Sequence, residues 1–106
     1  MNVDAAALRE TAQPLSGADS DFDAAVQLAA GASYVLIGES THGTHEFYRA
    51  RAEITKRLLY EHEFCGVAIE GDWPDAHRVH RFITGELESD ENDALAGFAR
   101  FPQWMW

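Results

Sequence analysis

Glu39, His42, Arg51 and Glu70 are the residues of this chain whose types and spacing suit chemistry. Glu39 and His42 lie in the segment Gly38-Glu39-Ser40-Thr41-His42-Gly43-Thr44-His45-Glu46-Phe47, directly after the apolar run Tyr34-Val35-Leu36-Ile37. Histidine gives or takes a proton near neutral pH. A neighbouring carboxylate fixes the tautomer of an imidazole and favours its charged form. His42 is therefore a candidate general base for activating water, with carboxylates as its orienting partners. Loops at strand ends are where scaffolds mount such groups.

The flanking sequence predicts the elements that would position them. The apolar run over residues 33–38 predicts a strand buried on both faces. Residues 45–62 predict a helix, with Phe47, Ile54 and Leu58 on one stripe. Gly66-Val67-Ala68-Ile69-Glu70 predicts a second short buried strand. Trp73-Pro74 suits the start of a helix that runs to around Thr84, before Gly85. Nearer the N-terminus, residues 4–10 predict a short helix, broken by Gln13-Pro14-Leu15-Ser16-Gly17. Ser20 reads as the N-cap of a further helix with an acid three residues on. Phe22, Val26 and Ala29 share a face of it, and Gly31 reads as its C-terminal cap. Glu86 to Asp93 carries five acids in eight positions and predicts a solvated turn. Residues 92–100 predict a final short helix.

The order helix, strand, helix, strand, helix predicts an α/β fold: a βαβ unit with parallel strands, a right-handed crossover and flanking helices. A parallel crossover brings the ends of both strands to one sheet edge, where ligands bind. Glu39, His42 and Glu70 are thus predicted to be neighbours. Arg51 falls in the middle of the core stripe, four residues after Phe47 and three before Ile54. A buried guanidinium stays charged and needs a carboxylate; Glu70 and Glu39 are the nearest by topology. The plainer reading is that Arg51 lays its stem on apolar surface and keeps its head in water. The paired reading is preferred because arginine is rarely buried alone.

At 106 residues the chain holds one domain at most. Its hydrophobic share of 46%, with six Phe, three Trp and three Tyr, argues against disorder. Eight basic against eighteen acidic residues give a net charge of −10, which repels phosphate backbones and anionic membranes. Nucleic acid and membrane are set aside as partners. Cys65 is the one cysteine, so an internal disulfide is excluded and a reducing compartment is the simplest reading. Met1-Asn2-Val3-Asp4 lacks the basic and apolar regions of a secretory signal. No apolar stretch approaches the ~20 residues that span a bilayer. A cytoplasmic location is predicted. Two parallel strands are too few for a stable sheet. The C-terminal run Arg100-Phe101-Pro102-Gln103-Trp104-Met105-Trp106 is apolar where domains usually fray into polar residues. Both features predict a single partial domain over residues 1–106, a piece of a longer protein.

Several motifs fail on inspection. Gly38 to Gly43 has the glycine spacing of a phosphate loop, but Thr44-His45 replaces its lysine and hydroxyl pair. There is no G-x-S-x-G elbow, which leaves Ser40 to the turn backbone rather than to nucleophilic attack. His42-x-x-His45-Glu46 has the composition of a zincin in the wrong order. His77 and His80 stand one turn apart on the third predicted helix. Surface or satisfied histidines are the commoner explanation for these two and for His62.

The stretch from Val35 to Arg81 resembles the N-terminal part of the erythromycin esterase family. The resemblance is carried by Gly38-Glu39-Ser40-Thr41-His42-Gly43, Glu46-Phe47, Arg51, and Val67-Ala68-Ile69-Glu70-Gly71-Asp72-Trp73-Pro74. It implies a larger erythromycin-esterase-like α/β domain that hydrolyses carboxylic esters by attack of water. The family's substrates include macrolide lactones, so a role in the response to antibiotic is implied. No metal or other cofactor is implied, and the partner is a small-molecule ester. By match, His42 is the general base, Glu39 the acid of the same block, Arg51 the helix arginine and Glu70 the acid that ends the second strand. Family members are much longer and draw further site histidines from later in their chains. The resemblance thus implies that the site is completed by chain beyond Trp106. Two other readings stay open: a metal- or haem-binding module using His42, His45 and His77, and an inactive truncated remnant.

Overall fold

Local side-chain chemistry sets most helix boundaries in the computed structural model, which describes residues 4–98. Helix α1 (Ala5–Thr11) is capped by Asp4, whose carboxylate accepts from the Ala6 N–H at 2.9 Å. A 3-10 turn (Asp19–Phe22) leads into α2 (Asp23–Ala29). Asp21 ties the preceding turn to this start. Its carboxylate accepts from the N–H groups of Ser16 and Gly17 at 2.6 and 2.7 Å and from the Ser16 hydroxyl at 2.9 Å. Desolvation raises the Asp21 pKa, but these donors outweigh it and hold the carboxyl below its ordinary value. Gly17 has φ +87°, a conformation open to glycine at little cost.

The predicted cap at Ser20 is not formed. Ser20 lies inside the 3-10 turn, and Phe22 occupies the N-cap of α2 without a side-chain bond. Gly31 does not take the left-handed cap conformation either. The helix ends through Ala30 in the right-handed region, and the Ala32 N–H closes onto the Ala29 carbonyl at 3.0 Å.

Helix α3 (His45–Glu61) is the long element. Its predicted stripe grades from Leu58, which is buried, through half-buried Ile54 to exposed Phe47. At its end the Phe64 N–H reaches back to the Leu58 carbonyl, and Glu63 is forced to φ +60°. Helix α4 (Trp73–Ile83) opens with Pro74 in its first turn, where a missing N–H costs nothing. It stops at Thr84 with Gly85 at φ +76°. Helix α5 (Glu91–Leu95) is capped by Asp90, which accepts from the Asp93 N–H at 2.9 Å. The helix predicted over 92–100 extends past the described residues, and the apolar run from Arg100 to Trp106 lies wholly outside them.

Packing is pairwise. Helix α2 lies against α3, and α4 against α5. The buried apolar residues among those described are Val26, Leu58, Ala94 and Phe98. The first pair is also joined by charge: Arg57 Nη1 donates to Asp23 at 2.7 Å, while its Nε and Nη2 grip Glu61 at 2.9 and 3.1 Å. The shape is long, 53 × 29 × 25 Å, with a radius of gyration of 16.9 Å. A compact domain of ~100 residues measures about 13 Å.

The predicted parallel βαβ unit is not present: the described residues are helical and hold no strand. The segments 33–38 and 66–70 run without regular structure and form no ladder. Nor are they buried on both faces, since Tyr34 and Leu36 are 86% and 91% exposed. The physical reason is that a strand exists only with a partner. An apolar run states a need for burial but does not supply the neighbour. Here the two segments line a common cleft instead of pairing. No helix among the described residues is long and apolar enough to cross a membrane.

Two outcomes follow from these contacts. A glutamate held left-handed carries a cost of about 1 kcal/mol, and glycine would lose roughly half of that through unfolded-state entropy. Glu63→Gly is therefore expected to stabilise by about 0.5 kcal/mol, read as a small rise in Tm. Arg57 holds Glu61, and the donors around residues 16 and 17 hold Asp21, below their ordinary pKa values. A carboxyl depressed on folding adds stability above its unfolded pKa and loses it as pH falls through the folded one. Tm should thus drop on acidification below roughly pH 4.5, and Arg57→Met should flatten that drop by removing the Glu61 share.

Candidate functional site

The loop between residue 37 and α3 is shaped by short side-chain bonds. The Thr41 and Thr44 hydroxyls lie 2.7 Å apart and close its tip. Gly43 follows at φ +75°, a turn that a residue with a Cβ would strain. Its N–H donates to the Tyr48 hydroxyl at 3.2 Å, which fastens the loop to the first turn of α3. Thr44 is the N-cap of α3 without a side-chain cap bond, its hydroxyl being paired with Thr41.

Glu39 is the centre of the polar contacts. Its Oε1 lies 2.7 Å from His42 Nδ1. Its Oε2 accepts from the Tyr48 hydroxyl at 3.0 Å and stands 3.6 Å from Arg51 Nη1. The Glu39 side chain is 23% exposed against 60% for His42, so the carboxylate is sheltered while the imidazole stands at the surface. A ring nitrogen this close to a carboxylate oxygen must carry the proton, since two lone pairs would repel. Proton on Nδ1 leaves the lone pair of the neutral ring on Nε2. That is the tautomer a general base requires.

Arg51 is 35% exposed at its side chain, not buried. Its guanidinium carbon lies 5.7 Å from the centre of the Tyr48 ring, within cation–π range. The reading in which its stem lies on the surface and its head meets water therefore holds together with pairing to Glu39. Glu70 is exposed and makes no ion pair with Arg51. It lies instead on the wall of a cleft of about 570 Å³ whose lining includes Ile37, Glu39, Tyr48, Arg51, Val67 and Glu70. The cleft joins the end of the first extended segment, one face of α3 and the end of the second. It has the size of a small-molecule site, with mostly apolar walls and four charged lining residues, Glu39, Arg51, Lys56 and Glu70.

The sequence predicts Glu39, His42 and Glu70 as neighbours, with Arg51 buried against Glu70 or Glu39; the structure instead places His42 and Arg51 on the Glu39 carboxylate and leaves Glu70 out of that cluster. Glu70 shares the cleft with Glu39 and Arg51 without pairing with either, and His42 stands beside the cleft rather than in its lining. Tyr48 was missed. It stands one turn before Arg51 on α3, so it shares the arginine's face. That spacing was the available signal. His42, His45 and His77 do not assemble into a ligand group: no set of three or more His, Cys, Asp or Glu among the described residues is placed to hold a metal ion. On α4, Trp73, His77 and His80 form a surface row, with ring centres 4.4 and 6.2 Å apart.

The chain matches the erythromycin esterase family over residues 59–106. The matched part contains Glu70 and the Gly71-Asp72-Trp73-Pro74 block, and it excludes Glu39, His42 and Arg51. The family match thus rests on the second block, α4 and the residues around them, and the first block lies outside the matched residues. No solved structure matches the chain.

The two carboxylates should separate in a thermal melt. Glu70→Gln removes a charge with no partner among the described residues and is expected to shift stability by no more than about 0.5 kcal/mol. Glu39→Gln removes the negative charge and one of the two acceptor oxygens that serve His42, Tyr48 and Arg51, and should lower Tm more. It should also speed hydrogen exchange of the loop amides from residue 40 to 44.

Proposed function

We propose that this chain carries the general-base half of an ester-hydrolysing site, of the kind the erythromycin esterase family describes. The observation that carries the reading is the His42–Glu39 pair, 2.7 Å apart beside the cleft. The family match over residues 59–106 supports it from the other end of that cleft. The substrate is a small-molecule carboxylic ester, with macrolide lactones as the leading class.

In this mechanism His42 Nε2 takes a proton from a water molecule as the water oxygen attacks the ester carbonyl carbon. Glu39 holds the Nδ1 proton and faces the imidazolium that forms. Arg51 lies on the opposite side of that carboxylate, where its positive charge balances Glu39. Collapse of the tetrahedral intermediate breaks the bond from carbonyl carbon to alkoxy oxygen. The proton held on Nε2 passes to that leaving oxygen, and a carboxylic acid and an alcohol are released. Glu70, on the far wall, positions the substrate.

His42→Ala tests the assignment. It removes an exposed ring, so the helical circular dichroism and Tm should be nearly unchanged. Ester turnover should fall by roughly two to four orders of magnitude, the usual worth of general-base catalysis. The measurement is hydrolysis of a macrolide lactone and of a simple aryl ester, each followed against pH. Turnover retained by His42→Ala would remove the histidine from the mechanism.

A further inference from the structure

We propose that Tyr48 is the positioning residue that keeps Glu39 aimed at His42. The inference rests on the general-base reading of His42 and extends it to a residue that neither motif nor family match points to.

Glu39 has two carboxylate oxygens with different tasks. Oε1 faces His42 Nδ1, and Oε2 is held by the Tyr48 hydroxyl at 3.0 Å. Without a bond on Oε2 the carboxylate would keep His42 as its one hydrogen-bond partner among the contacts described, and the last torsion of glutamate is broad. The Tyr48 oxygen does a second job at once: it accepts from the Gly43 N–H at 3.2 Å. One hydroxyl therefore donates to the acid and accepts from the backbone one residue after the base. Acid and base are fixed to the same point of α3, five and nine residues away in sequence from the atoms it holds.

Arg51 does not duplicate this. At 3.6 Å from Oε2 it supplies charge without a hydrogen bond. It also lies near the face of the Tyr48 ring, which restrains the ring in the pose that presents its hydroxyl to Glu39. Tyr48 and Arg51 from α3 thus hold Glu39, and the Gly43 amide ties the loop to the same hydroxyl. Removing the Tyr48 hydroxyl should leave the fold standing while letting Glu39 and the loop drift apart. A displacement of about 1 Å is enough to cost a large factor in rate.

The test uses the whole 106-residue chain, with nitrogen-15 spectra of the histidine rings and amide exchange as the primary readouts. In the unaltered protein His42 should show the tautomer protonated on Nδ1, and the Gly43 amide should exchange more slowly than that of Ser40. Tyr48→Phe should mix the tautomers and abolish that protection. It should also lower kcat for ester hydrolysis roughly tenfold with KM unchanged, as expected for one lost hydrogen bond to a charged group. Tyr60→Phe, the same change at an exposed position of the same helix, should alter none of these. An unchanged His42 tautomer in Tyr48→Phe would overturn the proposal. If Tyr48→Phe fails to fold, the unaltered protein decides: rapid exchange of the Gly43 amide there overturns it equally. A tautomer shift in a protein without ester turnover would sink the hydrolytic reading and leave the Tyr48 role intact.

Discussion

The division of labour between the two oxygens of Glu39 is the constraint on which the site depends. One oxygen meets His42, and the other meets a hydroxyl and a guanidinium from α3. A carboxylate with a single partner is an exposed ion pair, worth little in water. A carboxylate with partners on both sides has a fixed plane, and so gives the imidazole a fixed partner. The helix that supplies those partners is itself anchored two turns later, where Arg57 joins Asp23 of α2 and Glu61 of its own last turn. Loop, acid and base are therefore referred to one rigid rod.

Much of this was legible in the sequence, and the reasons differ by element. Helices α3 and α4 announced themselves by periodicity and by Pro74, because those signals depend on local backbone geometry alone. The proximity of Glu39 and His42 follows from a spacing of three residues in a turn. The partner of Arg51 was narrowed to two carboxylates, and only coordinates separated them. Spacing puts Tyr48 on the face of Arg51, but its contacts with Glu39 and Gly43 depend on a loop turn that the sequence does not specify. The strands failed for a different reason. Residues 33–38 and 66–70 satisfy the composition of buried strands, yet a sheet is a property of several segments together. Composition reports what a segment wants, not whether a neighbour exists to provide it.

The family match and the local geometry address different halves of the cleft. The match covers the wall that bears Glu70 and the helix after it, while the polar cluster belongs to the segment before. Helix α3 spans the two, with Tyr48 and Arg51 in its first turns lining the cleft and Leu59 to Glu61 in its last turn inside the matched part. A substitution in that helix would therefore be felt on both walls.

The extended segments have a consequence for the colloid rather than for the site. Tyr34, Leu36 and Val67 present apolar side chains to water on backbone that makes no ladder. Such stretches adhere to one another when molecules meet. Opposing this is a net charge of −10, which keeps like molecules apart at long range. Salt shortens that range to about 8 Å at physiological ionic strength, while leaving the apolar attraction in place. Shelf life in solution is therefore set by ionic strength: dilute buffer lets the acids shield these segments, and added salt strips the shield away.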